Sequence, residues 1–254
     1  MLPFCEKLLS GHPFRPSEFR GATVTSIRNF FVKRLERFLY EPMSTLTHLA
    51  GVFASLVGLV ILLYFTWNQP GKLLSVTVYG VSMMVLYGAS TVFHGAKVSD
   101  STRMWLNRLD HMAIFLLIAG TYTPIVYALS SGPVRVWLLG GVWIVTLGGM
   151  AYKLLSPRIH GFYNALIYVV LSWGSAIPLL LFFDITALIP LGGWAWLLLG
   201  GLIYSLGFIT YYFQRPDPWP GVFGHHEVWH LFVLGGSLCH FLFILWYVVP
   251  IQQI

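Results

Sequence analysis

His226 and His230 stand four residues apart, so on a helix both imidazoles leave one face toward one point. Two histidines at that spacing are a common zinc-binding pair. A third nitrogen from another segment, His94, completes a set of three neutral ligands. Three such ligands leave a fourth tetrahedral position for water, which is the arrangement of a catalytic zinc site rather than a structural one. Zinc fits nitrogen-rich tetrahedral coordination best, although affinity alone does not separate it from other metals. Ser90 precedes His94 by four residues and shares its helix face. Asp110 is suited to take a proton from water as a general base. Two plainer readings compete: Asp110 as an ion-pair partner of Arg103 or Arg108, and Ser90 in a hydrogen bond between helices.

The other histidines of interest read differently. Glu41 and His48 are seven residues apart and can share a face, which suits supporting hydrogen-bonding groups better than ligands. His240 lies ten residues beyond His230, nearly three turns away, and reads as a buried, hydrogen-bonded histidine. His225 is turned about 100° from His226 on a helix, so the two do not face one ion. His160 is a loop histidine without an evident partner.

These residues lie in a chain that is 57% apolar and 9% charged over 254 residues. Soluble domains carry about a quarter charged residues. A chain so poor in charge is suited to lipid as its solvent. Seven apolar segments, roughly 46–67, 73–95, 106–129, 135–153, 162–183, 194–213 and 227–249, are each long enough to span a bilayer. Turn-forming runs such as Asn68-Gln69-Pro70-Gly71 and Arg215-Pro216-Asp217-Pro218 separate them. The expected fold is an all-α seven-helix membrane bundle occupying residues 41–254. Residues 27–40 place apolar side chains on one face and Arg28, Lys33, Arg34 and Arg37 largely on the other, the pattern of an interfacial helix. Residues 1–26 form a basic leader with no strong pattern and no apolar run of signal-peptide length. Cys5 and Cys239 are too widely separated to suggest a disulfide framework.

The net charge of +6 is explained by topology rather than by nucleic acid. With the N-terminus inside, thirteen of the fifteen Lys and Arg residues fall on the cytoplasmic side, and only Lys72 and Arg135 fall outside. The same topology sets the depth of the unusual polar residues. Glu41, His48, His94, Asp110, His111 and His225–His230 all come to the inner leaflet, although up to 190 residues separate them. Ionisable groups at that depth cost about 2.5–3.5 kcal/mol each on the insertion scale and mark functional sites.

Several runs resemble the motif blocks of the hemolysin III / PAQR (progestin and adipoQ receptor) family. They are Ser90-Thr-Val-Phe-His94, Leu109-Asp110-His111 through Leu117-Ile-Ala-Gly-Thr-Tyr-Thr-Pro124, and His226-Glu-Val-Trp-His230. Glu41 through His48 is similar to the block before the first span, and Pro218-Trp-Pro-Gly221 to the sixth loop. The similarity covers about residues 38–248, and the Ala-Gly-Thr-Tyr-Thr-Pro run looks most like the bacterial hemolysin III branch. The resemblance implies a seven-helix bundle with its N-terminus inside, and zinc on His94, His226 and His230 with Ser90 and Asp110 nearby. It also implies a place in a bacterial cell (inner) membrane and a link to lipid homeostasis or haemolysis. Relatives in the wider superfamily hydrolyse lipid amides such as ceramide. Glu227 stands where the receptor branch tends to have glutamine.

Three functions follow as expectations. The first is a zinc-dependent intramembrane hydrolase of a ceramide-like or fatty-acyl lipid. The second is a non-catalytic sensor or receptor with structural zinc. The third is a pore-forming cytolysin, for which no span offers a charged, lumen-lining pattern.

Overall fold

The computed structural model describes residues 32–156, 162–174, 176–177 and 189–252. Among the described residues the longer helices are α1 (Pro42–Thr66), α2 (Pro70–Gly95), α3 (Asp100–Leu129), α4 (Gly132–Leu155), α5 (Phe162–Gly174), α6 (Leu191–Phe213) and α7 (His225–Phe243). A π-helical turn, Ile244–Val248, continues α7. All but α5 are long and apolar enough to cross a membrane. The expected fifth span, 162–183, is helical over Phe162–Gly174, and most of the rest of that segment lies outside the described residues. The expected leader 1–26 lies wholly outside them. Of the expected interfacial helix over 27–40, residues 32–35 are helical and 36–38 form a turn, and the earlier part is not described.

Local chemistry accounts for the boundaries. α1, α2 and α4 each begin with proline in the first turn, where the missing N–H would have no partner in any case. Ser99 caps α3 by accepting the Thr102 N–H, and this starts the helix six residues ahead of the apolar run. α6 ends at Gln214 in the left-handed conformation, and Pro216 follows two residues later.

α1 packs on α2, α2 on α3, α3 on α4, and α6 on α7, while α7 closes back on α1. Close approach depends on missing side chains. A Cβ at Gly51 of α1 would lie 2.6 Å from the Tyr87 ring of α2, and one at Gly236 of α7 would lie 2.9 Å from Tyr204 of α6. The core holds Leu62, Tyr79, Tyr87, Phe243 and Ile244. Outward positions are large and apolar: Trp137 is 77% and Ile144 71% exposed on α4, as lipid-facing residues must be. At one end of the bundle Lys72 is buried. Its Nζ donates to the carbonyls of Val249 (2.8 Å) and Ile251, fastening the chain after the π turn. The starts of α1, α3 and α7 and the end of α2 meet at the opposite end, where the histidines lie.

Candidate metal centre

Backbone contacts set the position of the first element of the site. The N–H groups of Tyr40 and Glu41 donate to the carbonyls of Gly95 (3.1 Å) and His94 (2.9 Å). These are carbonyls that the end of α2 would otherwise leave without partners. The same contact brings the Glu41 carboxylate to Nδ1 of His94. Burial alone would raise the Glu41 carboxyl, but the hydrogen bond from His94, with the charges of His94, His226 and, least, Arg103, outweighs it and holds it below its ordinary value.

α7 delivers the other two histidines. Its first turn is closed by Glu227, whose Oε2 accepts the Gly224 N–H at 2.8 Å while its Oε1 accepts the Ser44 hydroxyl at 2.5 Å. One side chain therefore caps α7 and ties it to α1. One turn on, Thr47 of α1 lies 3.0 Å from Nδ1 of His230.

Ligand nitrogens of His94, His226 and His230 all lie within 4.8 Å of one another, and the three residues can hold a metal ion. The ring centroids are 4.7–5.0 Å apart. The Nε2 atoms of His94 and His226 are 3.2 Å apart. Two arms of a tetrahedral zinc site, each about 2.0–2.1 Å long, place their nitrogens about 3.3 Å from each other. The donor set and this spacing fit such an ion. The Nδ1 atoms of His94 and His230 are engaged by Glu41 and Thr47, so Nε2 is left for the centre in both.

Asp110 and Ser90 both line a cavity of about 700 Å³ with His48, His226 and His230. The competing ion pair is not what the arginines make. Arg108 donates to the carbonyls of Lys153, Leu154 and Ser156 at 2.7–2.8 Å, and Arg103 donates to Ala96 and lies over the Tyr40 ring. Away from the clustered histidines the cavity walls are mostly apolar, including Leu86, Ile114, Ile118 and Ile125, with Thr121, Tyr204, Ser205 and His240 among the polar exceptions. Along α6 the lining runs from Tyr211 to Trp194, a rise of about 25 Å. A second pocket of about 860 Å³, lined by His94 and His226, also has Glu36, Glu41, Asp217 and Glu227 in its wall.

The remaining histidines take the places expected of them or fall outside view. His240 is half-buried, with Nε2 3.4 Å from the Leu197 carbonyl. His225 lines the second pocket and is not one of the three clustered residues. His111 turns its Nδ1 to the Asn107 carbonyl at 2.9 Å. His160 lies outside the described residues. Thr47 and Ser44 were not foreseen, because nothing in the type or spacing of a helical hydroxyl distinguishes it.

The bundle and its buried histidines define a multi-pass helical membrane protein with a candidate metal centre at one end. Residues 37–241 match the family described as Haemolysin-III related, and the chain belongs to that family. It is similar to the hemolysin-3 homolog of Bacillus subtilis (strain 168), 35% identical over 213 residues, covering 83% of this chain and 95% of that protein. It is likewise similar to hemolysin-3 of Bacillus cereus, 34% identical over 221 residues, covering 85% and 96% of the two chains. Human monocyte to macrophage differentiation factor is 25% identical over 230 residues, covering 83% and 92%.

Proposed function

We propose that this protein is a zinc-dependent intramembrane hydrolase of a lipid amide, working at the inner leaflet of a bacterial cell membrane in lipid homeostasis. The observation that carries this reading is the position of the three histidines. His226 and His230 line the long, mostly apolar cavity whose wall also holds Asp110 and Ser90, and His94 is clustered with them. A cavity of this volume and lining suits an acyl chain.

His94, His226 and His230 would hold the metal through nitrogens, which favours zinc, and the set leaves a fourth position open. Bound zinc supplies polarisation of a carbonyl and a more acidic water. The chain's own residues do the rest. Asp110 accepts the proton from water and returns it to the leaving amine. Ser90, in the same cavity wall, is placed to steady the Asp110 carboxyl through its hydroxyl. The apolar walls fix the acyl chain so that its amide carbonyl reaches the histidine end. The excess of Lys and Arg in the loops of this end supports its placement on the cytoplasmic side.

The test is metal analysis of the purified protein together with an assay of lipid-amide hydrolysis. Stoichiometric zinc and turnover lost in Asp110→Ala are expected. Zinc-free protein with all three histidines intact contradicts the reading. A second reading, a sensor with structural zinc, is favoured by one observation: the cluster joins α2 to α7 and so could serve as a staple. It predicts that His94→Ala abolishes cellular function while Asp110→Ala leaves it intact.

A further inference from the structure

His240 has no part in the histidine cluster, yet it forms part of the cavity wall. It stands ten residues beyond His230 on α7, about 15 Å further along the helix. The ring is wedged against α6. Its Nε2 lies 3.4 Å from the Leu197 carbonyl, and a Cβ at Gly200 would lie 2.5 Å from both Nε2 and Cδ2. The Tyr204 ring flanks it, with centroids 5.5 Å apart. α6 thus leaves out a side chain to seat the Nε2–Cδ2 edge, and the opposite edge, Nδ1 and Cε1, is turned away from Gly200.

This geometry fixes the tautomer. A carbonyl only accepts, so the His240 proton sits on Nε2 and the lone pair on Nδ1. Nδ1 has no hydrogen-bond partner among the described residues, and the ring is only half-buried. In this it differs from two other groups of the cavity wall. The ring nitrogens of His48 and Nε1 of Trp194 are unpaired as well, but they are closed to water. The hydroxyls near His240 already have partners. Tyr204 pairs with Ser237 at 2.8 Å, and Ser205 donates to the Gly201 carbonyl at 2.8 Å while accepting from Trp173 Nε1 at 3.1 Å. An acceptor left open in a mostly apolar wall is costly unless an occupant donates to it.

We propose that His240 is a second polar subsite of the cavity, its Nδ1 accepting a hydrogen bond from a hydroxyl group carried on the acyl chain. The proposal rests on the reading that the cavity holds an acyl lipid with its polar end at the histidine cluster. The 15 Å along α7 then corresponds to roughly a dozen extended carbons. A plain chain leaves the lone pair unmet, a hydroxyl at that depth meets it, and a hydroxyl beside the amide does not reach it. The substrate class narrows to N-acyl lipids hydroxylated far along the chain.

The experiment uses the full chain in detergent micelles and three fluorescent N-acyl amides of equal chain length. One is unsubstituted, one carries a hydroxyl on about the twelfth carbon, and one carries it beside the amide. His240→Leu is expected to keep its zinc, because His240 is not one of the clustered three. Its affinity for the far-hydroxyl probe falls about tenfold, the scale of one hydrogen bond, while the other two probes bind as in wild type. His240→Gln, whose amide oxygen accepts, recovers part of the loss. His240→Met takes the place of His240→Leu if the branched side chain does not fold against Gly200.

Equal affinity of variant and wild type for the far-hydroxyl probe overturns the proposal. So does a parallel fall for all three probes, or an equal fall for the two hydroxylated ones. The two readings fail separately. Wild type that binds the far-hydroxyl probe through His240 but hydrolyses none of the three ends the hydrolase reading and leaves this one standing. Hydrolysis of all three with KM unchanged in His240→Leu does the reverse, and wild type that binds no probe overturns both.

Discussion

Nδ1 of His94 is hydrogen-bonded to the carboxylate of Glu41, and this contact decides which of its nitrogens faces His226. A carboxylate only accepts, so the His94 proton sits on Nδ1 and the lone pair is on Nε2. The ring is thereby set for metal binding by a residue that touches no metal. Removal of such a partner costs roughly 10–100-fold in metal affinity. Glu41→Ala should therefore weaken zinc binding by that order in a competition titration with a chelator. Thr47→Val, which removes the partner of His230 Nδ1, should weaken it in the same direction.

The Asp110–Ser90 pair separates chemistry from metal holding. Asp110→Ala should retain zinc and lower turnover about 10²–10⁴-fold, the usual contribution of a positioned general base. Ser90→Ala should lower turnover less, because the carboxylate itself survives. Paired metal and activity measurements on the same preparation check both.

Glu227 holds the site end together with both oxygens, one on the Gly224 N–H and one on the Ser44 hydroxyl. Glu227→Ala frees the first turn of α7 and its tie to α1. Loss of a helix cap costs about 1 kcal/mol, and loss of the hydrogen bond to α1 adds a comparable amount. The melting temperature should fall, and saturating zinc should restore part of it, since a ligand that binds only the folded state stabilises it.

Gly51 tests the packing that brings α1 against α2. A methyl group there would sit 2.6 Å from Tyr87, and that ring also contacts His48 and donates its hydroxyl to Ser237 at 2.7 Å. Gly51→Ala should lower stability by about 1–3 kcal/mol, the usual cost of overpacking. Thermal unfolding in detergent checks this.

Much of the bundle can be read from the chain because lipid imposes a simple rule on length and polarity. The apolar run after Pro70 and the helix Pro70–Gly95 coincide nearly residue for residue, since proline and glycine mark both ends. The start of α3 does not coincide. The apolar run suggests residue 106, but the Ser99 cap carries the helix back to Asp100 through a polar segment that hydropathy passes over. The three clustered histidines can be read because i and i+4 spacing and a shared depth are properties of sequence and topology. Their hydrogen-bond partners are only half legible. Glu41 stands out as a carboxylate at a span edge, whereas Ser44 and Thr47 are small hydroxyl residues of a kind common in membrane helices. The stacking of His48 on His230 depends on how α1 and α7 are rotated against each other, and no periodicity in either segment encodes that.

The most direct test is elemental analysis of the purified full-length protein beside its His226→Ala, His230→Ala double variant. The account predicts about one zinc per chain in the wild type and none in the variant, at equal helix content. Wild-type protein that holds no metal after purification in zinc-replete, chelator-free buffer, with all three histidines intact, would contradict it.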